Sequence, residues 1–239
     1  ARGREQPMSN EREKQNAAAA AMELVEDGMT LGLGTGSTAR YFVEMLADEV
    51  ADGLVVRGVP TSEQTRRLAE SHGVPLIPVD EVERIHLTVD GADEVDENGT
   101  LIKGGGAALL REKIIADASD HMVVIADPSK QVLHLGAFPL PVEVTPFGFT
   151  LTARRVFESL RASGIDKPKV ELRTIDGREP LVTDGGNHIL DCQCGRIPDA
   201  EAVAARLSSV PGVVEHGLFI ALARTVIIGN ETGAAVFEY

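Results

Sequence analysis

The residues with the clearest chemical potential lie in one stretch, Lys103-Gly104-Gly105-Gly106, and in Glu112 shortly after it. Glycine loses more conformational freedom on folding than other residues, so three in a row predict a close approach of bare backbone to a ligand. Strong helix formers follow, and N–H groups at a helix start attract anions. Glu112 falls within the first two turns of this predicted helix, where its carboxylate could act on the same ligand. A flexible loop before an ordinary helix is the alternative interpretation.

Two acids follow a short apolar strand earlier in the chain. The strand is predicted over residues 85–89 and runs directly into Asp90-Gly91-Ala92-Asp93-Glu94. An Asp-Gly pair is often only a turn. Two acids that flank Gly-Ala at the end of a buried strand nevertheless favour a binding site.

A turn rich in Gly, Thr and Ser joins a predicted strand over residues 30–33 to a helix predicted from Ser37 to Ala51. Its sequence, Gly34-Thr35-Gly36-Ser37-Thr38, offers N–H groups and hydroxyls to an anion. The third glycine of a dinucleotide fingerprint is missing, and the next strand ends in Pro60-Thr61-Ser62 instead of an acid. No Gly-Lys-Ser/Thr follows, which excludes a P-loop. The turn therefore predicts a compact monophosphate site.

Two further lysines lie where they could meet such a ligand. Lys130 follows an apolar strand predicted from Met122 to Ala126, and Lys14 lies early in a helix that is predicted to begin near Asn10. A solvated side chain is the default interpretation of Lys14. The chain contains only six Lys beside seventeen Arg, so the placement of Lys14, Lys103 and Lys130 at candidate positions supports a shared site.

Strands alternate with helices through the first part of the chain, which predicts an α/β fold with a doubly wound, mostly parallel, Rossmann-like sheet. Ligands bind beyond the carboxyl ends of such strands, where Thr35, Asp90, Asp93 and the Lys103 loop are expected. From about residue 140 the order is strand-helix-strand-strand-helix-strand, with one of these strands near residues 181–183, as in a ferredoxin-like α+β unit. The predicted domains are therefore 8–139 plus 217–239, α/β and catalytic, and 140–216, smaller and ferredoxin-like.

The composition of the 239-residue chain narrows the possible classes of function. A net charge of −14 argues against nonspecific nucleic-acid binding. No apolar run approaches the ~20 residues that span a bilayer, and no signal segment is visible. Two cysteines imply no disulfide framework, so a cytoplasmic location without membrane association is expected. The six histidines show no metal-ligand spacing. Residues 1–7 are interpreted as an extension outside the fold.

Several motifs together resemble the signature stretches of one enzyme family, ribose-5-phosphate isomerase type A. The resemblance runs from about Glu11 to Gly229, in the order of the family's motifs. It rests on these stretches: Gly34-Thr35-Gly36-Ser37-Thr38, Asp90-Gly91-Ala92-Asp93-Glu94, Lys103-Gly104-Gly105-Gly106, Arg111-Glu112-Lys113, Ser129-Lys130, Phe138-Pro139-Leu140-Pro141-Val142-Glu143 and Gly185-Gly186-Asn187-His188-Ile189-Leu190-Asp191.

The resemblance implies an aldose–ketose isomerase that needs no metal or cofactor. It would interconvert ribose 5-phosphate and ribulose 5-phosphate through a cis-enediolate, in the non-oxidative pentose phosphate pathway. On the family's pattern Glu112 is the base, and Asp90, Asp93 and Lys103 line the sugar. The implied substrate-binding residues are Thr35, Gly36, Ser37, Thr38, Gly91, Ala92, Gly104, Gly105, Gly106, Lys130 and Lys14. A homodimer or homotetramer, joined partly through the smaller domain, is also implied.

Two other classes of protein share this type of fold. One is a sugar-phosphate sensor domain of a transcription regulator, but the chain has no recognisable DNA-binding helix pair and no basic patch. The other comprises coenzyme A transferases and aminosugar-phosphate deaminases, which also place an acid near the sheet. The combination of Asp90, Asp93, Lys103 and Glu112 resembles the isomerase more closely than either class.

The acidic, lysine-poor composition resembles that of proteins adapted to high salt. With 37 acids against 23 Lys and Arg, the folded chain repels itself, and added salt screens this repulsion. We therefore expect the Tm to rise between low salt and molar NaCl. Thermal unfolding across that range measures it, and a constant or falling Tm would contradict the prediction.

Overall fold

The computed structural model describes residues 8–239, so the predicted extension over residues 1–7 lies outside the described residues. The helices are α1 Met8–Met22, α2 Ser37–Ala51, α3 Glu63–Ser71, α4 Leu109–Asp117, α5 Phe149–Ala162 and α6 Ala200–Ser208. The strands are β1 Thr30–Leu33, β2 Arg57–Pro60, β3 Leu87–Asp90, β4 Glu94–Val95, β5 Leu101–Ile102, β6 Met122–Ala126, β7 Leu140–Val144, β8 Lys169–Leu172, β9 Thr174–Ile175, β10 Glu179–Pro180, β11 His188–Gln193, β12 Val213–His216, β13 Leu218–Phe219, β14 Ala223–Asn230 and β15 Gly233–Glu238. No helix in this described part is long and apolar enough to cross a membrane.

The first of two compact units consists of residues 8–92, Ile114–Gln131 and Leu222–Tyr239. Its six-stranded sheet has the order β15-β14-β6-β3-β1-β2. All neighbouring pairs are parallel except β14 with β15, which form an antiparallel hairpin. The predicted doubly wound, mostly parallel sheet is therefore confirmed.

Side chains along β1 and β3 alternate between the two faces of the sheet, and both faces are buried. Leu31 and Leu33 pack with Val89 and with residues of α1 and α2 in one apolar cluster. Gly32 and Thr88 point the other way, and a Cβ on Gly32 would lie 2.0 Å from the Thr88 hydroxyl. Because side chains alternate with period two, Asp90 shares the face of Thr88 and not that of Val89. This alternation places a carboxylate at the carboxyl end of β3.

The second unit consists of Asp93–Lys113 and Val132–Ala221. Its larger sheet is antiparallel, with the order β12-β7-β11-β8. Helices α5 and α6 contribute Val156, Leu160, Val203 and Leu207 to the same buried cluster as Val142. Strand order and helix placement are those of the predicted ferredoxin-like α+β unit.

The compact units have different bounds from the predicted domains 8–139 plus 217–239 and 140–216. Residues 93–113, 132–139 and 217–221 all group with the second unit. The reason is a small three-stranded sheet in which β5 pairs with both β4 and β13. In addition, the Val132 N–H donates to the Val95 carbonyl at 2.9 Å. Strands of two residues carry no periodic signal, so the sequence could not show this sheet.

One local prediction differs from the structure, and two further local features were not predicted. No strand forms at residues 181–183; instead β9 and β10 make a short hairpin. Its turn is Asp176-Gly177, with φ of 51° and 69°, which is the positive-φ geometry that tight hairpins need. Residues 75–79 form no strand of their own and contribute only an isolated bridge from Leu76 to Gly58. Strand β15 was not expected because this edge strand has no buried face and therefore no alternating pattern.

Packing of α1 on the sheet depends on Gly229 in β14. A Cβ there would lie 1.8 Å from the Glu13 carbonyl oxygen and 2.8 Å from the Ala17 nitrogen, both of them backbone atoms of α1. We expect Gly229→Ala to lower the free energy of unfolding by about 1–3 kcal/mol or more, because the helix must shift. Chemical denaturation measures the change.

Gly233 provides the matched control in the same hairpin. A Cβ on Gly233 meets no atom within 4 Å, so Gly233→Ala should leave stability nearly unchanged. Equal losses in both variants would show that loss of glycine in the hairpin, and not contact with α1, causes the effect.

Candidate active site

Asp90 is the fixed carboxylate of the first unit. It is fully buried at the end of β3. Its Oδ1 accepts hydrogen bonds from the N–H of Thr35 at 3.1 Å and from the N–H of Gly91 at 2.7 Å. A Cβ on Gly34 would lie 2.2 Å from this same oxygen, so only glycine permits the approach. Two backbone donors and one missing side chain therefore set the orientation of the carboxylate.

A cluster of buried hydroxyls holds the turn that follows β1. The Thr35 hydroxyl lies 2.7 Å from Ser62 Oγ, 2.9 Å from Thr61 Oγ1 and 3.1 Å from Thr65 Oγ1. Thr65 also donates to the Gly34 carbonyl at 2.9 Å. The side chain of Thr35 thus stabilises the turn from the inside, which leaves the exposed Gly36 and Ser37 as its outward-facing residues.

The three partners of Thr35 were not predicted as functional residues. Thr61 and Ser62 were noticed at the end of β2, but only because no acid stood there. The sequence feature that could have revealed them is the run of hydroxyl residues after β2, the strand that pairs in parallel with β1. Since carboxyl ends of parallel strands share one edge, that run could have been assigned to the same turn.

The start of α2 offers donors to an anion. Gly36 precedes the helix with φ of 119°, and no side chain caps the helix N-terminus. Lys14 donates to Ser37 Oγ at 3.0 Å, so this lysine lies at the predicted monophosphate turn. Thr38 is buried in the first turn of the helix. A cavity of about 480 Å³ opens beside the turn and is lined by Gly34, Gly36, Ser37, Arg40, Gln64, Thr65 and Leu68.

Lys130 lies at the same edge of the sheet as Asp90. It ends a short 3₁₀ turn, Pro128–Lys130, directly after β6. The turn is capped by Asp127, whose Oδ1 accepts from the N–H of Ser129 at 3.0 Å. Because β6 is the parallel neighbour of β3, the first unit brings the Thr35 turn, Asp90, Gly91, Ala92 and Lys130 to one edge.

A buried ion pair is the centre of the second unit's candidate residues. Lys103 Nζ lies 3.4 Å from Glu112 Oε1, and the two side chains are only 3% and 4% exposed. Glu112 lies in the first turn of α4, as predicted. Lys103 follows β5, which belongs to the small antiparallel sheet. The strand before the Lys103 loop is therefore not one of the parallel strands.

The glycine loop between these two residues is closely packed. Gly104 has φ of 110°, and a Cβ there would lie 2.7 Å from Leu109. The N–H of Gly105 donates to Asp93 Oδ2 at 2.8 Å. Ala107 has φ of 60°, a left-handed conformation that is unusual for a residue with a Cβ. The loop is thus held in one strained conformation, and Gly105 and Gly106 remain exposed.

A second polar cluster, which sequence reasoning missed, lies next to the ion pair. Lys113 donates to Glu215 Oε1 and to the His216 carbonyl, both at 2.7 Å. The Phe219 ring lies 4.9 Å from Lys113 Nζ and 5.5 Å from Lys103 Nζ, measured to the ring centroid. One aromatic ring therefore contacts both ammonium groups. The only sequence signal for this cluster was the position of Lys113 directly after Glu112.

Burial and charge shift the pKa values in this cluster. Burial lowers the pKa of Lys113 despite its bond to Glu215. Burial acts to raise the pKa of Glu215, but the hydrogen bonds from Lys113 and from the His216 N–H outweigh it and lower the pKa. Burial and the Lys113 charge lower the pKa of His216 to about 4. The imidazole is therefore neutral at pH 7, and its Nδ1 accepts from the Leu218 N–H at 3.3 Å.

No group of three or more His, Cys, Asp or Glu side chains that could hold a metal ion occurs in residues 8–239. Cys192 is buried in β11, and burial raises the pKa of its thiol well above the ordinary value. The same cause raises the pKa of Cys194 to about 12. Both cysteines are free thiols, and neither contributes to the candidate residues.

Comparison with known proteins identifies the family. The family model of ribose 5-phosphate isomerase A (phosphoriboisomerase A) matches residues 57–233. The chain belongs to this family. Ribose-5-phosphate isomerase A of Maricaulis maris is 62% identical over 228 residues, which cover 95% of this chain and 98% of the relative. The protein of the same name from Nitrobacter hamburgensis is 55% identical and covers 94% and 97%.

Solved structures of this family have the same fold as the chain. A D-ribose-5-phosphate isomerase in complex with phospho-erythronic acid is 39% identical, with a TM-score of 0.90 over 97% of this chain and all of that one. The enzyme of Methanocaldococcus jannaschii is 37% identical, with a TM-score of 0.88 and the same coverage. The chain is therefore an aldose–ketose isomerase, and the sensor, transferase and deaminase alternatives are not favoured.

The lowered pKa of His216 predicts a pH-dependent stability. A folded-state pKa of about 4, below the ordinary 6.5, means that the unfolded chain binds this proton first. The stabilising contribution is complete above pH 6.5 and is lost as the pH falls toward 4. The Asn side chain of His216→Asn can still accept from Leu218 but does not titrate, so this variant should lose less stability between pH 7 and 5. Urea unfolding at the two pH values measures the difference.

His134→Asn is the control, because His134 is an exposed histidine of the same unit. It should show the pH dependence of the unchanged protein. The ordinary pKa of Glu215 is 4.5, and in the folded protein it is lower. Its contribution to stability is therefore lost mainly below pH 4.5, outside the range that is measured. If His216→Asn and the unchanged protein lose equal stability from pH 7 to 5, this assignment is wrong.

Proposed function

We propose that the chain interconverts ribose 5-phosphate and ribulose 5-phosphate with Glu112 as the base. The observation that carries this proposal is the buried pair of Glu112 with Lys103, 3.4 Å apart and beside a glycine loop. A carboxylate removed from water is a stronger base than an exposed one. The adjacent ammonium supplies the fixed positive charge that an enediolate needs. The same pairing of tasks, with a glutamate base, is known from triosephosphate isomerase.

The reaction moves one proton between neighbouring carbons of the open-chain sugar. Glu112 takes the proton from C2, the C2–H electron pair forms the C1=C2 bond, and the carbonyl electrons move to O1. The enediolate then receives a proton at C1 from Glu112 while the O2 proton passes to O1, which leaves a carbonyl at C2. Lys103 stabilises the negative charge that develops on the sugar oxygens.

Asp90 and Asp93 are proposed to bind the sugar hydroxyls and to assist ring opening. Each is held by backbone N–H groups: Asp90 by Thr35 and Gly91, and Asp93 by Gly105. A carboxylate whose orientation is fixed in this way accepts a hydroxyl proton in a defined direction. Gly91, Ala92 and the backbone of Gly104, Gly105 and Gly106 complete the proposed sugar contacts.

The phosphate is assigned to the start of α2. Gly36, Ser37 and Thr38 offer backbone N–H groups at the positive end of the helix dipole, and Lys14 lies at Ser37. Lys130 is proposed as a further cation for the same group. Thr35 contributes by holding the turn, since its own hydroxyl bonds to Ser62. We also propose a cytoplasmic homodimer or homotetramer that acts in the pentose phosphate pathway.

Replacement of Glu112 by Gln tests the proposal. The amide keeps the size and most hydrogen bonds but cannot act as a base, so kcat should fall by at least ~10²-fold. Affinity for a non-reacting analogue such as arabinose 5-phosphate should change little. Exchange of the substrate's C2 hydrogen with solvent, followed by NMR, should disappear together with turnover.

Glu158→Gln is the matched control, because Glu158 is an exposed partner of Arg155 in the second unit. It should keep the full rate. A Glu112→Gln variant that isomerises at nearly the original rate would remove Glu112 as the base and direct the test to Asp90 or Asp93. An unchanged protein that binds the sugar phosphate without exchange or turnover would instead be a sensor.

A further inference from the structure

Arg173, which follows β8, reaches the glycine loop of the second unit. One terminal nitrogen of its guanidinium donates to the Gly104 carbonyl at 2.8 Å and to the Gly105 carbonyl at 3.2 Å. Its side chain is only 14% exposed. The contact spans 69 residues of sequence, and neither the sequence motifs nor the proposed chemistry includes Arg173.

Asp191 in β11 fixes the orientation of this guanidinium. Arg173 Nε donates to Asp191 Oδ2 at 2.9 Å, and the second terminal nitrogen donates to Oδ1 at 2.5 Å. The backbone is held as well, since the Arg173 N–H donates to the Ile189 carbonyl at 2.8 Å. A two-point contact of this kind sets the plane of the guanidinium. The remaining N–H donors therefore point in one direction, toward the loop.

The loop needs such support because its backbone is strained. Ala107 has φ of 60°, a left-handed conformation that is strained for a residue with a Cβ, and such conformations persist only where their surroundings hold them. The Gly104 carbonyl accepts from Ala107 N–H at 3.0 Å as well as from Arg173. Asp93 holds the N–H of Gly105 from the other side. At Gly105, Arg173 therefore holds the carbonyl while Asp93 holds the N–H.

We propose that Arg173, oriented by Asp191, is a positioning residue for the isomerase reaction. By holding the carbonyls of Gly104 and Gly105, it keeps the exposed backbone of Gly105 and Gly106 turned toward the sugar. It also fixes the spacing of Lys103 and Glu112, which lie on either side of the loop. This inference rests on the proposed function of the loop and of Glu112.

Lysine cannot replace Arg173 in this task. The guanidinium donates to two carboxylate oxygens and two carbonyls at once, in one plane, whereas an ammonium is a point charge on a flexible stem. Arg173→Lys therefore keeps the charge beside Asp191 but loses the directed donors. Arg173→Met removes both, and Asp191→Asn leaves the guanidinium without its charged partner.

The experiment measures kcat and KM for ribose 5-phosphate, the inhibition constant of inorganic phosphate, and the Tm. In Arg173→Met and Arg173→Lys we expect kcat to fall about 10- to 100-fold, since small misplacement of reacting groups has effects of this size. Inhibition by inorganic phosphate should stay within about twofold, because the proposed phosphate residues belong to the other unit. Asp191→Asn should lower kcat less, and the Arg173→Met/Asp191→Asn pair should lose no more than Arg173→Met alone.

Arg155→Met is the matched control, because it removes an exposed ion pair from the same unit and should leave all four quantities unchanged. An unchanged kcat in Arg173→Lys and Asp191→Asn overturns the proposal, even if Arg173→Met does not fold. So does a parallel loss of kcat, phosphate inhibition and Tm, which would mark a general structural role. Both outcomes leave the proposed function intact if Glu112→Gln is inactive. If the protein without any substitution shows no turnover, the proposed function fails and this inference fails with it.

Discussion

The buried pair of Lys103 and Glu112 is the constraint on which the second unit depends. Removing two charges from water costs several kcal/mol per ion, and their attraction offsets this only when the geometry is good. The pair is therefore a poor source of stability and must be held by its surroundings. Phe219 lies against the ammonium, the Lys103 N–H donates to the Gly217 carbonyl at 2.8 Å, and α4 fixes Glu112. The small three-stranded sheet pairs β5 with β13. This pairing brings Phe219 and the Gly217 carbonyl next to Lys103.

The sequence predicted the parts of the fold that are set by local rules. Apolar runs such as 122–126 gave a strand with the correct bounds, and Ser37 to Ala51 gave α2 with the correct bounds. Since carboxyl ends of parallel strands meet at one edge, the sequence alone places Asp90, the Thr35 turn and Lys130 together. The family motifs then supplied chemical roles that spacing alone does not give.

The unpredicted features depend on contacts between residues far apart in the chain. The hydroxyl cluster joins Thr35 to Thr65, 30 residues away, and Lys113 meets Glu215 across 102 residues. Periodicity reports which face of an element is apolar, but it does not report which polar side chain a neighbour contributes. The sequence likewise does not show which neighbour a glycine makes room for. Gly34 and Gly229 both admit close neighbours, yet one neighbour is the Asp90 carboxylate and the other is the backbone of α1.

Asp90 and Glu112 are held in physically different ways, and the difference suits their proposed roles. Asp90 is bonded to backbone N–H groups, which have no side-chain rotamers, so its carboxylate keeps one orientation. Glu112 is paired with an ammonium on a flexible stem. A base changes its charge twice in each turnover, because it gains the C2 proton and then releases it to C1. A positive charge held 3.4 Å from the carboxylate stabilises it before it takes the proton, and the same charge is available to the enediolate once the carboxylate is neutral.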